Sequence, residues 1–194
     1  MRLAAAVIVI GLGSQAWAQD EPQRQLGAHA HGQGKLSVAI ERRSVEMELE
    51  VPGSDIVGFE HAAKTAEQKA AVTKARAALA KPLALFKLPD AAGCKLGSAK
   101  VKLVGGGAHD HGHGHGHGKP GDAAKAKEAA AHSEFHAEYT LTCTRPDLIQ
   151  AIDFDYFKTF AGAGALDVTM IGPKGQSSHK VTREKPRIEF KATS

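Results

Sequence analysis

Residues 35–51, KLSVAIERRSVEMELEV, alternate apolar and polar side chains, and this pattern constrains the fold more than any other in the chain. Every second position is apolar, in two runs made of Leu36, Val38 and Ile40, and then of Val45, Met47, Leu49 and Val51. Successive side chains of a strand point to opposite faces, so the pattern predicts an antiparallel hairpin with one buried face. We assign Glu46, Glu48 and Glu50 to its solvated face rather than to a carboxylate site.

Residues 64–82, KTAEQKAAVTKARAALAKP, predict the one main helix of the domain. Thr65 followed three positions later by Gln68 fits a capping box, and Pro82 ends the helical pattern. Val72, Ala75 and Leu79 fall on one face, which further alanines widen, so the helix is expected to cover one face of the sheet.

Further strands are predicted along the rest of the chain, in SAKVKLVGGG, EFHAEYTLTC, AIDFDYF, ALDVTMI, SSHKVT and RIEF. Turn-forming glycines and prolines separate the later ones. We therefore expect a β-rich α+β fold, an antiparallel sheet or sandwich with one main helix and a long disordered His-rich insertion.

The first residues, MRLAAAVIVIGLGSQAWAQD, are typical of an export signal. A basic Arg2 precedes an apolar run that ends near an Ala-x-Ala cleavage site at Ala18. The run is about half the ~20 residues that a membrane span needs, although an uncleaved anchor is the alternative. The expected organisation is a signal peptide at 1–18, an arm at 19–28, one domain formed by 29–104 and 134–194, and an insertion at 105–133.

Charge and cysteine content narrow the class of protein. The formal net charge is +4, basic and acidic residues are mixed, and aromatic residues are 5% of the chain, which argues against a nucleic-acid interface. No stretch after the signal predicts stable membrane insertion. In an oxidising compartment Cys94 and Cys143 are expected to form a disulfide that joins the two ends of the insertion; free thiols or soft metal ligands are the alternatives.

The segment GGGAHDHGHGHGHGKPG, residues 105–121, holds five of the eleven histidines, namely His109, His111, His113, His115 and His117. Neutral imidazole binds zinc, copper and nickel, and its affinity falls on acidification. Ordering such a glycine-spaced tract costs roughly 1–2 kcal/mol per residue, so we expect weak binding with loose stoichiometry. The alternatives are a polar linker with incidental histidines or an expression tag.

A second group of histidines is a candidate for an ordered site. His29 and His31 in GAHAHGQG point to one side if the chain is extended, although a disordered arm is equally compatible with the spacing. His61 follows Glu60 just before the predicted helix, where a lone histidine is more often structural. These residues need a further ligand to make an ordered site.

His136 is the candidate for that further ligand. It shares the outward phase of its strand with Glu134 and Glu138, and His132 lies four residues before it. Together His61, His132 and His136 can supply three histidines to one site, with a neighbouring glutamate as the carboxylate. His179 is expected to be an exposed strand residue without a metal role.

Enzymatic motifs are missing from the sequence. There is no H-E-x-x-H, no G-x-S-x-G and no phosphate-binding glycine loop. A copper redox enzyme of the superoxide-dismutase type stays an alternative, because a lone H-x-H also occurs at such sites, but its remaining ligands cannot be assigned. We therefore expect a protein that is not an enzyme.

Several stretches together resemble the ZrgA-type zinc uptake proteins, long catalogued as a domain of unknown function in bacterial envelopes. They are AHAHGQGKLSVAIE, DIVGFEHAAKTAEQKAAV, LFKLPDAAGCKL, the His-rich insertion and HAEYTLTCTRPDLI. The resemblance implies a periplasmic zinc-binding protein that assists zinc acquisition, with the His-rich segment as a metal-binding region. His29, His31 and His61 match positions characteristic of that family.

The expected function is therefore capture, buffering and handover of Zn²⁺ in the periplasm, with Ni²⁺ or Cu²⁺ as possible cargo. The expected partner is the solute-binding protein of a zinc transporter or an outer-membrane receptor. About 175 mature residues are too few for a two-lobed solute receptor with a long loop. The competing hypothesis is a resistance or storage protein that sequesters nickel, copper or zinc.

Overall fold

The computed structural model describes residues 32–106, 132–173 and 175–190. The predicted signal peptide and arm, and residues 107–131 of the predicted insertion, lie outside these ranges. Nine strands occur within them: β1 (Gln33–Glu41), β2 (Ser44–Pro52), β3 (Phe86–Lys87), β4 (Cys94–Gly105), β5 (Ser133–Cys143), β6 (Ala151–Phe154), β7 (Ala165–Gly172), β8 (Gly175–Thr182) and β9 (Arg187–Glu189). The helices of the same ranges are α1 (Gly53–Val57), α2 (Ala66–Leu79), α3 (Pro82–Leu85) and α4 (Tyr156–Thr159).

The strands form a large and a small sheet. The large sheet has the order β4-β5-β2-β1-β7-β8, and the small sheet has the order β3-β6-β9. The predicted hairpin is confirmed, since β1 and β2 pair antiparallel with Leu36 opposite Leu49 and Val38 opposite Met47. Within the described ranges β1 and β7 make the one parallel pair, which the expectation of an antiparallel sheet or sandwich did not include.

The predicted main helix is α2, and its start has the predicted capping box. The Thr65 hydroxyl accepts a hydrogen bond from the amide of Gln68, and the Gln68 side chain accepts one from the amide of Thr65. Val72, Ala75 and Leu79 are buried, so the helix covers the core with the predicted face. The β-rich α+β fold is thus confirmed, with three helices of four or five residues beside the main one.

The core lies between the inner face of the large sheet and the small sheet with its short helices. Phe86 is fully buried at its centre, where its ring packs 5.8–6.5 Å from the rings of Phe154, Tyr156 and Tyr139. Aromatic pairs at these separations add to the free energy gained from burial. This packing holds β5 against the small sheet and so fixes the strand that carries His136.

The disulfide between Cys94 and Cys143 is formed, but its position differs from the expectation. The two cysteines are directly opposite at one end of the β4–β5 ladder, whereas Gly105 and Ser133 are opposite at the other end, next to residues 107–131. The paired strands, and not the disulfide, therefore bring together the two ends of the insertion.

Candidate metal site

Two backbone hydrogen bonds place Glu60 and His61 beside both ends of the insertion. The amide of Ser133 donates to the carbonyl of Glu60 (2.7 Å), and the amide of Gly106 donates to the carbonyl of His132 (3.1 Å). Gly106 has φ +72, and a Cβ atom there would lie 3.4 Å from the carbonyl carbon of His61. Glycine suits this left-handed backbone and close approach.

Helix α1 brings these residues to the start of β5. It follows directly on β2, which lies beside β5 in the large sheet, and it ends at Gly58, whose φ of 82 reverses the chain. A Cβ atom on Gly53 would lie 2.8 Å from the carbonyl oxygen of Phe59, so the helix and the following segment are in close contact. The turn thus aims residues 59–62 back across the end of the sheet.

Glu60 and His132 form a side-chain pair at this place. Oε2 of Glu60 is hydrogen bonded to Nδ1 of His132, and Oε1 of Glu60 accepts a hydrogen bond from the Ser54 hydroxyl (2.6 Å). The His132 side chain is 54% exposed, whereas that of Glu60 is 13% exposed. A histidine that gives one ring nitrogen to a carboxylate is oriented to bind a metal through the other.

Asp55 connects this pair to the start of β1. The residue is 4% exposed, and its Oδ1 accepts the amide of Gly32 (2.8 Å). Its neighbour Ser54 donates to Glu60, so the contacts run from Gly32 through residues 54 and 55 to Glu60 and His132. Three distant parts of the sequence therefore meet at one end of the large sheet.

The buried carboxylate of Asp55 also acts on Tyr156. Burial, and after it the negative charge of Asp55, raise the pKa of the Tyr156 hydroxyl well above its usual range. The tyrosine therefore stays neutral at physiological pH. Within the described part of the chain its hydroxyl has no hydrogen-bond partner.

His61 lies at the surface in an orientation suited to metal binding. Its Nδ1 is 3.0 Å from the carbonyl oxygen of Ala62, and its ring stacks on Phe59 with 5.0 Å between centroids. A carbonyl only accepts hydrogen bonds, so the proton belongs on Nδ1 and the lone pair on Nε2. That tautomer presents Nε2 as a ligand atom.

His136 pairs with a different carboxylate. Its Nε2 lies 2.7 Å from Oε2 of Glu134, and its side chain is 36% exposed. In the sheet it stands opposite Glu50 on β2 and Lys102 on β4. Four residues of extended chain span about 13 Å, so His132 and His136 belong to two neighbouring imidazole–carboxylate pairs rather than to one cluster.

The remaining histidines divide into two groups. His179 is half-buried on β8, with Nε2 3.0 Å from the Ser177 hydroxyl, and it stands opposite Val168, away from residues 60 and 132. The predicted ligands that lie outside the described residues are His29, His31, His109, His111, His113, His115 and His117. Across 32–106, 132–173 and 175–190, no three or more His, Cys, Asp or Glu side chains are grouped to hold a metal ion.

Sequence reasoning named His132 but not its pairing with Glu60. The two residues are 72 positions apart, so no local spacing connects them. The available signal was the position of His132 at the end of the insertion and of Glu60 next to His61. Asp55 was missed altogether, because a single buried acid after a strand has no periodic pattern.

Comparison with known proteins identifies the chain. Comparison with curated proteins gives no match. No helix among the residues that the structure describes is long and apolar enough to cross a membrane. The model of the ZrgA family zinc uptake protein matches residues 28–190, which is most of the chain and includes every element described above. The chain belongs to the ZrgA family of zinc uptake proteins.

Proposed function

We propose that this protein is a periplasmic, non-enzymatic zinc-binding protein that captures Zn²⁺, buffers it and hands it to uptake machinery. One observation carries the proposal. The contacts from Gly32 through Asp55 and Glu60 to His132 join the three parts of the sequence that hold the candidate ligands. The family supports zinc as the cargo.

The proposed ordered site uses His61 and His132 together with His29 and His31. His61 offers Nε2, because Nδ1 faces the carbonyl of Ala62, and His132 is oriented by the carboxylate of Glu60. His31 directly precedes Gly32 in the sequence, and the amide of Gly32 is held by Asp55, which supports the H-x-H pair as the other two ligands. Four imidazoles would satisfy the tetrahedral coordination that zinc prefers.

His136 and the tract from His109 to His117 would add weaker sites. Gly106 and His132, which precede and follow residues 107–131 in the sequence, are hydrogen bonded to each other, so both attachment points of the tract lie beside the proposed ordered site. Tethering raises the effective concentration of ligands at that site without any new contact. Weak, fast-exchanging ligands suit capture and handover, and imidazole also accepts Ni²⁺ or Cu²⁺.

The location and the partner are part of the proposal. The leader sequence and the disulfide both favour an oxidising compartment outside the cytoplasm. A protein that collects zinc there would deliver it to the solute-binding protein of a zinc transporter or receive it from an outer-membrane receptor.

Competition with a chromophoric chelator tests the ordered site. We expect the double variant His61→Ala with His132→Ala to lose the most tightly bound Zn²⁺ ion. The ions that the tract binds more weakly are expected to remain. His179→Ala is the matched control, because that histidine lies elsewhere on the sheet. Unchanged tight binding in the double variant would contradict the proposed ligands.

Uptake and sequestration differ in regulation rather than in ligand chemistry. A protein for uptake is expected to be expressed more strongly under zinc starvation, whereas a storage or resistance protein is expected under zinc excess. Transcript measurement in the native host at both extremes of zinc supply separates the two functions.

A further inference from the structure

Arg183 follows β8 and directs its guanidinium at the main chain of one loop. It donates hydrogen bonds to the carbonyl oxygens of Phe157 (2.7 Å), Phe160 (3.1 Å), Ala161 (2.8 Å) and Ala163 (2.5 Å). The guanidinium also lies 5.9 Å from the centre of the Phe157 ring. A single side chain thus fixes the segment between α4 and β7, which we name the 160–164 loop.

The 160–164 loop contacts Gly32 and Asp55, the two residues from which the hydrogen bonds to Glu60 and His132 begin. The amides of Gly164 and Ala165 both donate to the carbonyl of Gly32, at 3.1 and 2.8 Å. A Cβ atom on Gly162 would lie 2.7 Å from the backbone carbonyl oxygen of Asp55, so the loop packs directly against α1. Gly32 is therefore held on one side by the loop and on the other by the Asp55 carboxylate.

Arginine is the side chain that this arrangement requires. Its planar guanidinium carries five N–H donors in a fixed geometry, whereas a lysine ammonium carries three on a flexible stem. Arg145 and Arg187 pair instead with exposed carboxylates of Asp147 and Asp153. The amide of Arg183 also donates to the carbonyl of Gly164 (3.2 Å), which ties the end of β8 to the same loop.

From these contacts we infer that Arg183 is a positioning residue of the zinc site. It acts through the 160–164 loop on Gly32 and Asp55. The contacts of Ser54 and Glu60 continue from there to His132, and Arg183 thereby sets the geometry at which His132 meets the metal. The inference rests on the proposed function. It predicts that loss of the Arg183 contacts lowers the Zn²⁺ affinity of the tight site. The weaker binding of Zn²⁺ by the His-rich tract is expected to stay unchanged.

The test compares Arg183→Lys with Arg187→Lys in the mature chain with its tract. Chelator competition gives the Zn²⁺ dissociation constant, the visible absorption of the Co²⁺ complex reports ligand geometry, and urea unfolding reports stability. For Arg183→Lys we expect the dissociation constant of the tight site to rise about tenfold, which is the low end of the effects seen for groups that orient metal ligands. We also expect an altered Co²⁺ spectrum. Arg187→Lys is expected to keep the parental dissociation constant and the parental Co²⁺ spectrum.

A second variant keeps the test decisive if Arg183→Lys does not fold. Gly162→Ala presses the 160–164 loop away from Asp55 while the arginine stays, so it is expected to weaken the tight site as well. A foldable variant of either kind with parental zinc affinity and Co²⁺ spectrum, whatever its urea midpoint, would overturn the inference and leave a purely structural arginine. If the parent chain itself has no tight site, the proposed function fails first, and the inference fails with it.

Discussion

The carboxylate of Glu60 is hydrogen bonded to Nδ1 of His132, although 72 positions separate the two residues in the sequence. A carboxylate in this position fixes the ring and raises the basicity of the second nitrogen. Glu60→Gln keeps an oxygen near the ring but removes the charge, so we expect the Zn²⁺ affinity of the proposed tight site to fall by about 10–100-fold.

The exposed Glu138 of the same β5 strand provides the control for this change. Glu138→Gln removes an equal charge and is expected to leave the tight dissociation constant within about twofold, because loosely paired surface charges contribute little. Chelator competition on both variants gives the comparison. Equal weakening by the two substitutions would show a general charge effect rather than orientation of His132.

Removal of the disulfide is expected to destabilise the fold. The bridge joins residues 49 positions apart, and the chain-entropy model gives about 4 kcal/mol for a loop of this length. Urea unfolding of Cys94→Ala with Cys143→Ala, beside the oxidised parent and the parent in reducing agent, measures the loss. A decrease below about 1 kcal/mol would contradict the entropic explanation.

The capping box of α2 gives a smaller and more local effect. Thr65→Ala removes the oxygen that accepts the Gln68 amide at 3.2 Å, and we expect a loss of about 1 kcal/mol in the free energy of unfolding. Thr73→Ala in the middle of the helix is the control, since alanine is the better helix former there. If both variants lose the same amount in urea, the cap is not the cause.

The lysine contacts of Asp155 are expected to make the stability of the fold fall in acid. Lys158, and then Lys87, lower the pKa of its carboxyl below the usual 3.8. A lowered pKa means that this carboxylate stabilises the folded chain above the usual value and loses its contribution as the pH falls through the folded value. Asp155→Asn should therefore reduce stability near neutral pH and approach the parent as the pH falls below 3.8 and through the lowered folded pKa. A constant difference in urea midpoint across that range would contradict this assignment.

Local features of the fold could be predicted because their signals lie within a few residues. Alternation across residues 35–51 predicted the β1–β2 hairpin, and the Thr65–Gln68 spacing predicted the start of α2. Both patterns report which side chains face the core or cap a helix. Neither reports which strand becomes a neighbour, so the parallel pairing of β1 with β7 was not predicted.

The candidate site was predictable in residue type but not in arrangement. Histidines in pairs and tracts indicate metal chemistry wherever they occur. The contacts of Glu60 with His132 and of Arg183 with the 160–164 loop depend instead on chain segments about 20 to 70 residues apart that the sheet brings together. The two cysteines show the same limit, since their pairing was expected while their distance from the insertion along β4 and β5 was not.

Calorimetric titration with Zn²⁺ of residues 19–194 and of the same chain without residues 109–117 tests the central claim most directly. We predict that the deletion lowers the stoichiometry and leaves one tighter site, which His29→Ala with His31→Ala then removes. If zinc binding disappears with the tract alone, the folded domain holds no zinc site. The protein would then be a His-rich buffer on an inert scaffold, which contradicts the proposed ordered site.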